Sequence, residues 1–521
     1  MTSNIPSVST KVSVGTPTYE YESMTRLWKR SRAVLNGELY AKAHDQQLDN
    51  VNYTNLLVPF SPAMHPDQYR WYVAEGELPG LVAQYAKTLT GGLLRKHPIV
   101  NLPDEAPEGA DVWINDRFTQ DGRSIVAFLD DALWEEMVSS RAFVSVDYPN
   151  VNNPEDMSPE ERDMICPYPV LWRAEDVINW QIGPDPVSGR PRLSRVVFRY
   201  ISREYDRSPH HPDLVPRVAD HFIDEEGNYT VQYYKKEGET SLKLTNGDLS
   251  MTEIFGHELF SSDNWIPDGD LFVPRMAGEP LKRLPIFPLN GEVSLETPML
   301  TPLIDREVAL YNKVSRRNHL LYGAATYTPV MFSDISDEEF EAVVQRGLGT
   351  WIKLGPDDKI DVLRPPTDAL KDMDRAIDAS VNEMARMGIR LMSPETQQSG
   401  VALEIRNSSQ TAQLGVLNTK ISTTMREVIR LMLQWKYGPD FNVDEVDFTM
   451  STDFNASPVG PEWLKLVYEW YSSRSIPRSV FVAYLKQHDI LPADYDDEEG
   501  VAEIGQDFLT EPTTDVKIEE D

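Results

Sequence analysis

Between residues 298 and 436 the hydrophobic pattern changes period several times. Leu300, Ile304, Val308 and Tyr311 recur every three or four residues, and Leu303, Leu310, Val314 and Leu321 form a second row. This predicts a helix over Pro298 to Tyr322 with a broad apolar face, as suits a helix packed on more than one neighbour. Pro298 and Pro302 fit its first turn, where the missing N–H would be unpaired anyway. An insert follows from Gly323 to Pro366. Tyr327 to Phe332, Trp351 to Leu354 and Ile360 to Leu363 read as strands, and Ser336-Asp337-Glu338-Glu339 is a capping box that starts a short helix to Arg346. A second long helix is predicted over Thr367 to Leu391. Leu370, Met373, Ile377, Val381, Met384 and Met387 share one face, while Asp372, Asp374, Asp378 and Glu383 lie largely elsewhere. Pro394 ends it. The polar stretch Ser393 to Gly400 has no bulky apolar group, so it cannot anchor itself by burial and is expected to be mobile. A third helix, Ala402 to Trp435, carries Leu414, Leu417, Ile421, Met425, Val428, Met432 and Trp435, and Gly438-Pro439 stops it.

Upstream, residues 1–20 read as a loose arm. Helical spacing begins near Met24 and stops at Asn36-Gly37, and one long helix is predicted over Asp67 to Leu94. Asp121-Gly122 is a turn, after which Ser124 opens a helix whose apolar stripe is interrupted at Glu136. Residues 142–148 alternate as a strand. From Tyr168 to Leu289 the pattern is mostly β: residues 170–172, 177–180, 196–200 and 230–234 read as strands, with a hairpin turn at 225–228. Leu284-Pro285-Ile286-Phe287-Pro288 reads as a Pro-interrupted strand, which belongs at a sheet edge. Two shorter helices follow Ser457. From Asp489 to the end there are thirteen acids and one lysine, the composition of a solvated tail.

Composition narrows the function classes. The chain has 521 residues, too many for one ordinary core, and 40% hydrophobic content, which indicates folded structure. A formal net charge of −33 argues against bulk attraction to DNA or anionic lipid. Cys166 is the single cysteine, so an intrachain disulfide and a Cys-based zinc site are excluded. No apolar run approaches the ~18–20 residues that span a bilayer, and residues 1–19 lack a signal-peptide core, so no membrane partner is expected.

Catalytic chemistry is not legible. His210, His211 and Asp213 could be metal ligands, but Ser208 to Pro212 is a Pro-rich loop and adjacent histidines rarely face one ion. Asp496-Asp497-Glu498-Glu499 lacks the ligand spacing of a calcium loop, and Gly347-Leu348-Gly349 lacks the rest of a phosphate loop. No catalytic residue, metal or cofactor is predicted. The 11 Trp and 22 Tyr fall at apolar periodic positions, as core residues do, and do not alternate with basic residues.

Several segments, in order, resemble tailed-phage portal proteins, specifically the portal-like group long labelled a domain of unknown function. They are Trp28 to Gly37 (WKRSRAVLNG), Leu89 to Pro98 (LTGGLLRKHP), the acid-Gly-helix-strand unit from Asp121 to Tyr148, Tyr168 to Trp180 (YPVLWRAEDVINW) and the Pro-containing strand from Pro280 to Asn290. The chain departs from that group at Leu94, where Phe is common, and at Ser399-Gly400-Val401-Ala402, where a Thr-Ala pair is often seen.

The resemblance implies an α+β phage portal fold. It would have an N-terminal arm (1–20), a mixed α/β wing (21–296), a first stem helix (297–322), a small α/β clip (323–366) and a second stem helix (367–391). A tunnel loop (392–401), a long wing helix with a return strand (402–456), a short helical crown (457–490) and an acidic tail (491–521) would follow. It also implies a ring of about twelve copies at one capsid vertex, through which double-stranded DNA enters and leaves without sequence preference. Partners would be the major capsid protein, the terminase large subunit and a head-tail adaptor. The location would be the virion, with assembly in the host cytoplasm. Ser393, Glu395, Thr396, Gln397, Gln398, Ser399 and Gly400 would form the tunnel loop. Asp334, Asp337, Glu338, Glu341 and Trp351 would be clip contacts. Lys313, Arg316 and Arg317 would form a basic belt facing DNA or capsid, or else ion pairs with Asp372, Asp374 or Asp378 of a neighbour. A large acidic hydrolase with scattered catalytic residues and another phage connector are the alternatives.

Overall fold

The computed structural model describes residues 13–44, 56–149, 157–158, 164–185, 189–205, 210, 213–237, 264–325, 328–332, 336, 359–363, 368–387, 400–451, 461–473, 475–487 and 490–491. Two compact units divide the chain, residues 1–452 and 453–521.

The first unit opens with helices α1 (Tyr19–Leu35), α2 (Glu38–His44), α3 (Pro66–Glu75) and α4 (Leu81–Leu93), then strand β1 (Ile99–Asn101), α5 (Ala110–Asp116) and α6 (Ile125–Ser139). Strands β2 (Ala142–Asp147), β3 (Tyr168–Arg173), β4 (Val177–Pro184), β5 (Pro191–Glu204), β6 (Asp213–Ile223), β7 (Tyr229–Lys236), β8 (Trp265–Pro267), β9 (Arg275–Met276), β10 (Glu279–Pro280) and β11 (Ile286–Pro288) follow. Then come α7 (Thr301–Ala325), the ribbon strands β12 (Thr328–Phe332) and β13 (Lys359–Leu363), α8 (Asp368–Arg386), α9 (Gly400–Tyr437) and β14 (Asp447–Thr449). The second unit contains α10 (Pro461–Ser472) and α11 (Arg478–Gln487), with Tyr471 stacked on Phe481 between them.

Strands β4 to β8 form an antiparallel meander in sequence order. A second sheet has the order β11-β2-β3, so the Pro-interrupted strand lies at an edge, as its sequence predicts. α1 lies across the meander: Tyr21 and Trp28 are buried with Ile178, Val197 and Val218. Residues 13–20, read as part of a loose arm, are held here. Val14 packs on this cluster, and Thr18 donates its N–H to the Ile178 carbonyl and caps α1 through the Tyr21 N–H.

Beside α1 a buried ion triad joins three elements. Arg32 makes paired bonds to Glu135 of α6 and to Glu175, which follows β3. Burial alone would raise the Glu175 carboxyl; the Arg32 charge and hydrogen bonds, with Arg173 nearby, override it and hold the group at about 2. His221 is half-buried between Phe198 and Tyr229, and desolvation there lowers it to about 3, so the ring is neutral.

One expectation needs correction. The single helix over Asp67 to Leu94 is two helices, α3 and α4, broken over residues 76–80. Pro79 removes a backbone donor, and Gly80 takes φ 73°, a left-handed conformation that ends helical continuity. Gly76 passes so close to α7 that a Cβ there would lie 3.0 Å from Tyr311 Oη and Ser315 Oγ. The central meander strand, β6, lies within the stretch expected to be mostly β but is not among the strands singled out from sequence. Pro216 obscures its alternation, yet ten paired residues hold it to β5.

Candidate functional site

The three long helices and two of the predicted insert strands form with shifted ends, while the predicted short helix to Arg346 and the strand Trp351 to Leu354 lie outside the described residues. α7 starts at Thr301, with Pro298 in the turn before it, and α8 stops at Arg386. At ~1.5 Å per residue, the 25 residues of α7 make a rod of about 37 Å. The rod is rooted at its N-terminal half. Leu300, Leu303, Ile304, Val308, Leu310 and Tyr311 are buried, and α1, α3 and α4 pack around them.

A polar tether is Glu307, which the apolar periodicity conceals. Its side chain is fully buried and accepts hydrogen bonds from the N–H groups of Leu81 (2.8 Å) and Val82 (2.6 Å). α4 has no side-chain cap of its own at Gly80, so a carboxylate from a distant helix meets its unpaired first-turn donors and its dipole. Burial raises the Glu307 carboxyl, and these backbone bonds oppose the rise.

A second root lies at the C-terminal end of α6. Glu136, the polar break in an apolar stripe, is 3% exposed. It accepts from Asn290 Nδ2 at 2.9 Å, and among the described residues its Oε2 has no hydrogen-bond partner. Burial, reinforced by the charge of Glu296 and opposed by Asn290 and Lys420, raises its carboxyl to about 7. The chain leading into α7 is strapped to the same place: Arg141 donates to the Val293 carbonyl, and the Met299 N–H to Ser140 Oγ. Lys420 of α9 reaches Glu292 at 3.2 Å. Sequence periodicity marks Glu136 as an exception but cannot supply the partners that bury it.

Beyond the roots, α7 and α8 run antiparallel. Arg306 pairs with Glu383 (2.9 Å), Lys313 donates to Ser380 Oγ (2.6 Å), and Arg317 pairs with Asp374 (2.8 Å). Two residues of the predicted basic belt, Lys313 and Arg317, thus bond to α8 of the same chain. Arg316 lies apart from them against Tyr72, whose burial-raised hydroxyl it partly lowers. Of the predicted apolar stripe on α8, only Met384 is buried; Leu370, Met373, Ile377 and Met387 are half-exposed and Val381 is 39% exposed. Near the far end of α7, Leu321 and Tyr322 are also exposed.

β12 and β13 pair antiparallel over five residues, from Thr328↔Leu363 to Phe332↔Lys359, so the insert enters and leaves side by side. The predicted clip contacts Asp334, Asp337, Glu338, Glu341 and Trp351 lie outside the described residues, as do Ser393, Glu395, Thr396, Gln397, Gln398 and Ser399 of the tunnel loop and residues 492–521 of the tail. Gly400 is the first residue of α9. Among the described residues no group of three or more His, Cys, Asp or Glu is placed to hold a metal ion, and no helix is long and apolar enough to cross a membrane.

The model of a family described as a domain of unknown function (DUF4055) matches residues 299–436. No curated protein matches the sequence. Among solved structures the chain is similar to a chain in the neck of an empty GTA particle computed with C6 symmetry (10% identity, 82% of this chain and 90% of that one, TM-score 0.33). It is also similar to one in the neck of a native GTA particle computed with C12 symmetry (10% identity, 82% and 95%, TM-score 0.32). A third is in the virion of a native gene transfer agent particle (10% identity, 80% and 91%, TM-score 0.30).

Proposed function

We propose that this protein is a portal subunit, the head-to-tail connector that forms a ring at one vertex of a tailed-phage or phage-like capsid and conducts DNA in and out. On this reading it has no active site of its own. α7 and α8 are the stem, the β12–β13 ribbon is the base of the clip, and α9 is the long wing helix. Terminase, tail adaptor and major capsid protein are its partners. The observation that carries the proposal is the half-covered stripe of α8. A helix with five apolar residues on one face, one of them buried, is incomplete in a single copy. A neighbour in a ring supplies the missing wall. The family match on residues 299–436 falls on this same helix-insert-helix-helix segment, and the ordered portal-like motifs supply the wing around it. The net charge of −33 suits a channel that DNA must pass without sticking, because each neutralised phosphate adds affinity.

Mass photometry and negative-stain imaging of the purified chain test this. Rings of about a dozen subunits with a central hole are expected, and Val381→Asp should disperse them. Monomers at every concentration reached, or rings unaffected by Val381→Asp, refute it. Deleting Gln397 to Gly400 should leave the ring intact and impair DNA packaging or retention. Loss of the ring itself would make that segment structural.

A further inference from the structure

A groove of about 520 Å³ runs between α6 and the open side of β3. Phe128, Asp131 and Trp134 line one wall, spaced by three as one face of a helix. The other wall is Tyr168, Pro169, Val170 and Leu171. Consecutive strand residues point to opposite faces of a sheet, so a wall built of four in a row is the backbone edge of the strand itself.

The hydrogen bonds fix which backbone groups face the groove. The Val146 N–H donates to the Pro285 carbonyl and the Leu289 N–H to the Ala142 carbonyl, so alternate residues of β2 turn their backbone toward β11. Phe143, Ser145 and Asp147 therefore turn theirs toward β3, where they stand opposite Trp172, Val170 and Tyr168. Pro169 and Leu171, between these, direct their backbone groups outward. Pro169 fits this assignment, since a residue without an N–H is tolerated on an outer edge. Among the described residues, nothing bonds the Leu171 N–H or C=O.

We propose that this groove takes an extended peptide segment of another protein, which adds a strand to the free edge of β3 and sets a basic side chain against Asp121 and Asp131. A strand edge beside a helix is a known way to bind extended peptides: main-chain bonds give affinity, and alternate side chains fill the helix-side wall. Phe128 and Trp134 make that wall apolar, so every second peptide residue is apolar. Charge selects the occupant. Arg123 is shared between Asp121 (2.9 Å) and Asp131 (2.6 Å), both of which are more than half exposed, so this end of the groove keeps negative charge. That local charge calls for a segment richer in Lys and Arg than this chain, which has 50 of them against 83 Asp and Glu. The inference does not rest on the connector reading, because none of these residues belongs to the paired helices.

The test is selection of a random hexapeptide display library on the immobilised full-length protein, matching the six residues of β3. Enriched peptides should alternate apolar residues and carry Lys or Arg. A synthetic copy of the most enriched peptide, N-methylated at alternate residues, should bind about tenfold or more weakly. Leu171→Pro should cause a similar loss, because it removes an outward N–H and leaves the bonds of β3 to β2 in place. Asp131→Lys should weaken the basic peptides. Absence of enrichment, or equal binding by the N-methylated peptide, overturns the proposal; the peptide comparison decides even if Leu171→Pro fails to fold. Self-association of the protein that Leu171→Pro abolishes would make a second copy the occupant and overturn the assignment to another protein.

Discussion

Replacing Glu136 by Gln should stabilise the protein by an amount that grows from pH 4.5 to pH 7 and then levels off. The carboxyl sits at about 7 in the folded chain against 4.5 when solvated. A raised carboxyl means that the folded state holds a proton that the unfolded state has released, so between pH 4.5 and 7 stability falls as pH rises. At ~1.36 kcal/mol per pH unit over a gap of about 2.5 units, the fall is about 3 kcal/mol. Above pH 7 Glu136 is a buried anion with one oxygen bonded to Asn290. Arg141, Glu296 and Lys420 are the charged groups around it. The glutamine amide of the Glu136→Gln variant would keep an acceptor for Asn290 and carry no charge. The wild type and variant should match at pH 4.5–5 and diverge to about 2–3 kcal/mol in favour of the variant at pH 8.5. Urea unfolding followed by tryptophan fluorescence across this range measures the difference. Parallel curves for the two proteins would refute the reasoning, since they would show that Glu136 is ionised at little cost.

Glu307→Ala should lower stability by about 2–4 kcal/mol, because two buried N–H groups of α4 lose their acceptor, and proteolysis should open the chain at residues 76–81 first. Arg32→Ala should cost at least ~3 kcal/mol by stranding Glu135 and Glu175, seen as a large drop in thermal midpoint; loss under 1 kcal/mol would mean that water reaches both acids. A double-mutant cycle of Arg317→Ala and Asp374→Ala should give a coupling below ~1 kcal/mol that vanishes in high salt, since both side chains are a third or more exposed.

The long helices were legible because their patterns are strong and their ends chemically marked. The rows through Leu300 and Leu414 place α7 and α9 within a few residues, and Pro302 and Gly438 bracket them. What periodicity could not see depended on partners far along the chain. Residues 76–80 break a helical pattern because Pro79 and Gly80 permit it and because α7 passes beside Gly76. β6 is a strand despite Pro216 because β5 and β7 hold it on both sides. Glu136 and Glu307 occupy inward positions on amphipathic helices, where a carboxylate reads as an error until Asn290 and the start of α4 are brought to it. Of the candidate site, the helix pair and the two strands of the ribbon were readable. The pairing of Lys313 and Arg317 with their own chain was not, since spacing cannot tell a cis ion pair from one with a neighbour.

The β12–β13 ribbon also bears on how such a chain can diversify. Because its two strands lie side by side across five paired positions, the residues between Phe332 and Lys359 close a loop whose ends are already fixed. Lengthening, shortening or exchanging that loop changes only a slowly varying closure entropy, while α7, α8 and their roots keep their geometry. The ribbon thus decouples the segment it carries from the helices beneath it, so that changes in that segment leave the register of α7 against α8 untouched.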